Sequence, residues 1–208
     1  MICFRASSKI FNRLLFLIIR FSPSNTVRIW IYRNCFKYKI GRNVTILGSI
    51  INSKKVEIGD NVFIGRKNFI RSNQLFIGAG TKIEYGNTIF GKADFKIGTN
   101  SRIIHNHYID LWNDVEIGHD TWLAGKKSQL WTHGSIHTKT EVKDLSIKIG
   151  NNVYIGANSS IAPGVDIADL NLIALGSVVV NTISSSKNIV MGNPSKVVKS
   201  NIDWRKNW

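Results

Sequence analysis

Residues 149–180 read IGNNVYIGANSSIAPGVDIADLNLIALGSVVV, with an aliphatic residue at 149, 155, 161, 167, 173 and 179. A period of six is neither the helical 3.6 nor the simple alternation of a half-buried strand. Working outward, Ile-Gly pairs recur at 40, 58, 77, 97, 117 and 149, and Ile167-Ala168 takes the same place. Successive pairs are spaced by 18, 19, 20, 20, 32 and 18. Within these intervals the count of six continues through Ile58, Ile64 and Ile70, then Ile77, Ile83 and Ile89, then Ile97, Ile103 and Ile109. Fixed internal repetition marks a solenoid, and six-residue repeats mean a parallel β-helix.

The repeat chemistry agrees. A β-branched residue at the first position can point inward and stack on its equivalent one coil away. Small or polar residues occur four positions on, at Thr81, Ala93, Ser101, Thr121, Ser159 and Ser177, where the interior must be narrow. Three hexads make one 18-residue coil of three short strands, stacked at roughly 4.8 Å. The extra residues of the 19- and 20-residue coils must bulge at corners. A β-sandwich would instead need turn signals at roughly 8–12-residue spacing, which are not seen.

The 208 residues carry a formal net charge of +15, and its distribution is uneven. Residues 1–40 hold Arg5, Lys9, Arg13, Arg20, Arg28, Arg33, Lys37 and Lys39, and the first acid is Glu57. Such a basic arm suits contact with an anionic surface. SKIFNRLLFLIIRF has a helical apolar face, Pro23 breaks it, and Ser24 or Asn25 can cap a second helix. Two readings of this arm stay open: an interfacial helix held to an anionic leaflet, or a cap on the open end of the solenoid. The apolar run 14–19 is too short to span a bilayer, and no cleavage-site pattern follows it. Cys3 and Cys35 form neither a CxxC pair nor a disulfide framework, which fits a reducing cytoplasm. The expected division is a basic helical arm over 1–39, a β-helix over 40–183 with a loop at about 133–146, and a tail over 184–208.

The repeats Ile58-Gly-Asp-Asn-Val-Phe, Ile149-Gly-Asn-Asn-Val-Tyr, Ile155-Gly-Ala-Asn-Ser-Ser and Ile161-Ala-Pro-Gly-Val-Asp resemble the hexapeptide-repeat acyltransferases. So does the closing run Gly192-Asn193-Pro194-Ser195-Lys196-Val197-Val198. The layout is similar to that of the sugar and polysaccharide O-acetyltransferases of that family. The resemblance implies an all-β solenoid of the left-handed parallel type, a homotrimer with sites between subunits, and acetyl-CoA as co-substrate with no metal. It extends over residue 40 to about 199. The serine acetyltransferases are set aside because they carry a long helical N-terminal domain.

The interval from Ile117 to Ile149 far exceeds a plain coil, and the excess must extrude as a loop. Long loops on regular scaffolds tend to be functional. In the family a catalytic histidine sits at the root of such a loop, and the matching position is His133. A sugar hydroxyl is a poor nucleophile until its proton is removed, and a neutral imidazole can take that proton near neutral pH. Read without the family, His133 is a loop histidine bonded to nearby backbone. His137, further out in the loop, could contact the acceptor or a neighbouring subunit, or be a loop histidine with no part in the chemistry.

On the acceptor side the resemblance points to Asn106, near the asparagine that relatives use, and to Asp110 and Trp131. Asp110 or Asp114 could orient the histidine, bind hydroxyls, or sit on a solvated corner. On the donor side Tyr154 matches an aromatic lying along the pantetheine arm. Ala157 and Leu175 match positions that bind pantetheine through backbone groups, and Lys196 and Lys199 match basic positions facing the nucleotide end.

Two rivals share the scaffold. The gamma-type carbonic anhydrases bind zinc through three histidines, for which His105, His133 and His137 are available, although the spacing from His133 to His137 is one short. A non-catalytic β-helix binding protein is the other. Nucleic acid is not expected as a partner, since the chain has no reading helix, zinc motif or RNP-like aromatics and its charge is concentrated in the arm.

Overall fold

The computed structural model describes residues 9–134 and 144–206. The chain winds as a left-handed parallel β-helix of about seven turns, with three flat faces. The first and third faces each hold seven strands and the second nine, among the described residues. Every sixth residue points inward and meets its equivalent in the next coil. On the first face Ile58, Ile77, Ile97, Ile117, Ile149 and Ile167 are stacked in register, and all are buried. On the second face the column runs Ile46, Ile64, Ile83, Ile103, Leu123, Ile155 and Ile173. On the third it runs Ile51, Ile70, Ile89, Ile109, Leu130, Ile161 and Val179. Burying one such side chain contributes roughly 1.5–3 kcal/mol, so the three columns are the core.

The corners are set by local backbone chemistry. Asn43, Asn61, Asn100, Asp120 and Asn152 take φ between 53° and 58° at the corner joining the first and second faces. Asparagine and aspartate enter this left-handed region at low cost, which is why they recur there. Inside the corner joining the second and third faces runs a polar ladder. Ser49 Oγ accepts from Asn68 N, Asn68 Oδ1 from Asn87 N, Asn87 Oδ1 from His107 N, His107 Nδ1 from Ser128 N, and Ser128 Oγ from Ser159 N. Small polar residues stand there because a turning backbone leaves amides that a narrow interior must satisfy.

The arm folds as α1 (Lys9–Phe21) and α2 (Asn25–Asn34), with Ser24 Oγ accepting from Val27 N as the cap of α2. Its polar groups pair with the backbone edge of the first coil. Asn25 bridges Val44 O and Ile46 N, Tyr32 Oη bridges Ser49 O and Ile51 N, and Tyr38 Oη bridges Ser53 O and Ser53 N. The buried Arg28 guanidinium donates to Ile19 O and Ser22 O, tying α1 to α2. An open edge is thereby covered. The inner side of α1 buries Leu15 and Ile19, yet Ile10, Leu14, Leu17, Ile18 and Phe21 remain exposed. No helix among the described residues is long and apolar enough to cross a membrane.

At the far end, Ile189–Gly192 and the antiparallel Ser195–Lys199 close the second face. The chain then returns so that Trp204 Nε1 donates to Asn152 O at 3.0 Å.

Candidate active site

The strands Tyr108–Leu111 and Gln129–Leu130 are neighbours on the third face, and both lead into the corner joining the third face to the first. His133 stands just past that second strand. Its Nδ1 lies 2.8 Å from Asp110 Oδ2 in the coil below. The His133 side chain is 48 % exposed and that of Asp110 only 5 %, so a buried carboxylate backs an accessible imidazole.

Asp110 is held in turn. Its Oδ2 accepts from Thr132 N at 3.1 Å and from Thr132 Oγ1 at 2.7 Å. Thr132 Oγ1 accepts from the backbone amides of Trp112 and Asn113, both at 2.9 Å, and Asn113 Nδ2 donates to Thr132 O at 2.7 Å. A carboxylate accepts hydrogen bonds, so Nδ1 of His133 carries a proton and, in the neutral ring, Nε2 holds the free lone pair. The imidazole is flanked by two indoles, Trp112 at 5.7 Å and Trp131 at 6.1 Å between ring centres. The arrangement can hold one tautomer, present a basic nitrogen to solvent, and offer aromatic surface beside it.

The other residues singled out above fall in several places. Of the parts considered for Asp110, the contact present is the one with His133, and its side chain is buried. Asp114 makes no such contact and accepts from Asp94 N at 2.8 Å instead. Trp131 is half-buried against Tyr108, and its Nε1 donates to Gln129 Oε1. Asn106 is exposed with φ 53° at the second–third corner, away from His133, because there it serves the turn. His105 is at that same corner, so the zinc-enzyme alternative finds two of its histidines on different edges of one chain. Among the described residues no group of three or more His, Cys, Asp or Glu could hold a metal ion. His119 is exposed at the first–second corner, and His137 lies outside the described residues.

Tyr154 faces outward on the second face between Trp122 and Trp204, and the contact with Trp204, at 5.4 Å between centres, takes up part of its ring. Ala157 and Leu175 are at the second–third corner, Leu175 being 77 % exposed, and Lys196 and Lys199 are exposed on the closing strand. One chain therefore does not bring these residues to His133.

The Thr132 and Trp112 contacts escaped the reading of the sequence. A signal was present: the offset that sets Trp112 against Thr132 is the same one at which the two preceding coils repeat.

No family model matches the chain. Curated relatives do. The chain is 29 % identical over 115 residues to the galactoside O-acetyltransferase of Escherichia coli, covering 55 % of each protein. It is 32 % identical over 120 residues to a putative acetyltransferase of Saccharomyces cerevisiae, covering 56 % of this chain and 58 % of that protein. Both of these relatives are acetyltransferases by description, and by sequence the chain is similar to them. It is also 28 % identical over 161 residues to the bifunctional protein GlmU of Clostridium acetobutylicum, covering 77 % of this chain but 31 % of that one. The chain thus spans from about a third to a little over half of these relatives' lengths. Among solved structures, the polySia-specific acetyltransferase NeuO shares the fold, with a TM-score of 0.53 at 24 % identity, covering 80 % of this chain and 77 % of that one.

Proposed function

We propose that this chain is an acetyl-CoA-dependent O-acetyltransferase acting on a sugar hydroxyl in surface polysaccharide biosynthesis, with His133 as general base. The observation that carries this reading is the buried Asp110 carboxylate 2.8 Å from Nδ1 of a half-exposed His133. Asp110 holds the proton on Nδ1. His133 Nε2 takes the proton of the acceptor hydroxyl as the new C–O bond forms, and returns it to the departing sulfur as the C–S bond breaks. The bound thioester supplies an already activated acyl carbon. General base catalysis of this kind contributes on the order of 10²–10⁴ in rate, with much of the remainder from positioning.

For the acyl donor, the residues present suit a thin, partly apolar arm ending in phosphates: exposed Leu175 and half-buried Ala157 at one corner, and the cations Lys196 and Lys199 beyond them. Tyr154 fits less well because Trp204 packs against it. These residues and His133 occupy different edges of one chain, which supports a homotrimer in which the edges of neighbouring copies meet. The test is thiol release from acetyl-CoA against a panel of sugars, repeated with His133→Ala. Unchanged activity in that variant would overturn the reading.

The exposed residues of α1 support a peripheral place at the inner face of the plasma membrane. Ile10, Leu14, Leu17, Ile18 and Phe21 follow helical spacing along one stripe, with Arg13 and Arg20 beside it. Such a stripe can enter an anionic interface while its arginines meet headgroups. Replacing Leu14, Leu17 and Ile18 by serine should abolish sedimentation with phosphatidylglycerol liposomes; full sedimentation would remove this part of the proposal.

A further inference from the structure

Below His133, the third–first corner descends toward the arm through residues joined rung to rung. Trp112 N donates to Thr132 Oγ1, Lys92 N to Leu111 O, Asn73 N to Ala93 O and Lys54 N to Asn73 O. At the lower end of this edge lies a groove of about 430 Å³, closed by Asn12 and Phe36 of the arm and lined by Lys54, Arg71, Asn73 and Lys92. Among the described residues no carboxylate lines it. Asp94, the acid nearest in the chain, already accepts from Asn73 Nδ2 and from both the backbone and side-chain amides of Gln74. Lys54, Arg71 and Lys92 are exposed and, among the described residues, form no ion pair.

Two of these cations rest on aromatic rings. Arg71 Cζ is 5.5 Å from the centre of Phe90, and Lys92 Nζ is 4.9 Å from the centre of Trp112, the 58 % exposed ring that touches His133. The edge is thus continuous from the groove, over Lys92 and Trp112, to the imidazole. With rungs roughly 4.8 Å apart, Lys92 lies about 10 Å below His133 along the axis. Charges spread over that length exceed the reach of one small anion, whereas a chain carrying repeated anions meets them together. A sugar ring can lie on Trp112, and a guanidinium pairs with a carboxylate through two parallel hydrogen bonds.

We infer that the acceptor is an anionic, carboxylate-bearing glycan bound along this edge, with Arg71, Lys92 and Lys54 holding its acidic residues and Trp112 presenting the residue to be acylated to His133. This inference rests on the transfer reading above, and it makes Arg71 and Lys92 specificity-determining residues of that site.

Binding without acyl donor, measured by calorimetry with hyaluronate, a neutral dextran and single-stranded DNA, separates the two claims. Hyaluronate is expected to bind at least roughly tenfold tighter than dextran or DNA, with affinity falling as salt rises. The double variant Arg71→Ala/Lys92→Ala should lose at least roughly tenfold of that affinity, and Arg71→Lys should recover part of it. The control Lys96→Ala/Lys148→Ala, which removes two exposed lysines from the first face, should bind as the unaltered protein does. All of these side chains are exposed, so thermal melts of the variants should match. Equal affinity for dextran, equal affinity for DNA, or equal losses in the double variant and the control would each overturn the inference. His133→Ala should leave hyaluronate binding intact. Transfer surviving in that variant removes the catalytic reading and not the glycan one.

Discussion

His107 and His133 both stand at corners of the same prism, and their surroundings make them opposite groups. His107 is 1 % exposed inside the second–third corner, where its Nδ1 accepts from Ser128 N. Its Nε2 is buried without a hydrogen-bond partner among the described residues. Burial pushes its pKa down to about 4, so it is a neutral rung of the polar ladder. His133 projects from the third–first corner beside a carboxylate that fixes which nitrogen bears the proton. The lesson is that residue type gives the potential for proton transfer, while partner and exposure decide whether it is available.

The largest expected break in this contrast is His133→Ala, which should lower kcat by roughly 10²–10⁴ with little change in Tm, checked by thiol release and thermal melting. His107→Ala should do the reverse, lowering Tm and leaving kcat per folded molecule unchanged. Asp110→Asn comes next. Losing a hydrogen bond to a charged group costs roughly 1.5–3 kcal/mol, or about 10- to 100-fold in kcat, together with some stability because Thr132 shares the same oxygen.

A third prediction sharpens the comparison through pH. Below its ordinary pKa near 6.5 the unfolded chain protonates His107 while the native state does not until about pH 4. The unfolded state then binds more protons, so the contribution of His107 to stability is constant above 6.5 and falls as pH drops through that window, by about 3 kcal/mol in all. His107→Asn, which keeps an acceptor for Ser128 N as Asn87 does for His107 N, should flatten that acid limb in denaturant titrations. The smallest expected effect is Trp112→Ala, which should raise KM for the acceptor several-fold with a lesser change in kcat.

The histidines also show how far the sequence could be read. The six-residue count located the faces, the inward columns and the break after Ile117, because a solenoid repeats one local rule and each coil contacts only its neighbours. His133 was found at the root of the loop by that count together with the resemblance. The contacts of Thr132 and Trp112 are not legible in that count, because contacts between coils depend on the length of each coil and on the corner at which its extra residues bulge.

The sequence by itself determined the β-helix, its inward aliphatic columns and the cationic arm, since all are periodic or compositional. Tertiary structure alone decided that Asp110 backs His133, that His107 is an inert rung, and that the arm covers the first coil while leaving an apolar stripe outside. It also joined Lys54, Arg71, Lys92 and Trp112 into one edge. These are relations between residues a full coil apart in the chain, and they arise only when the coils stack and set each corner above the last.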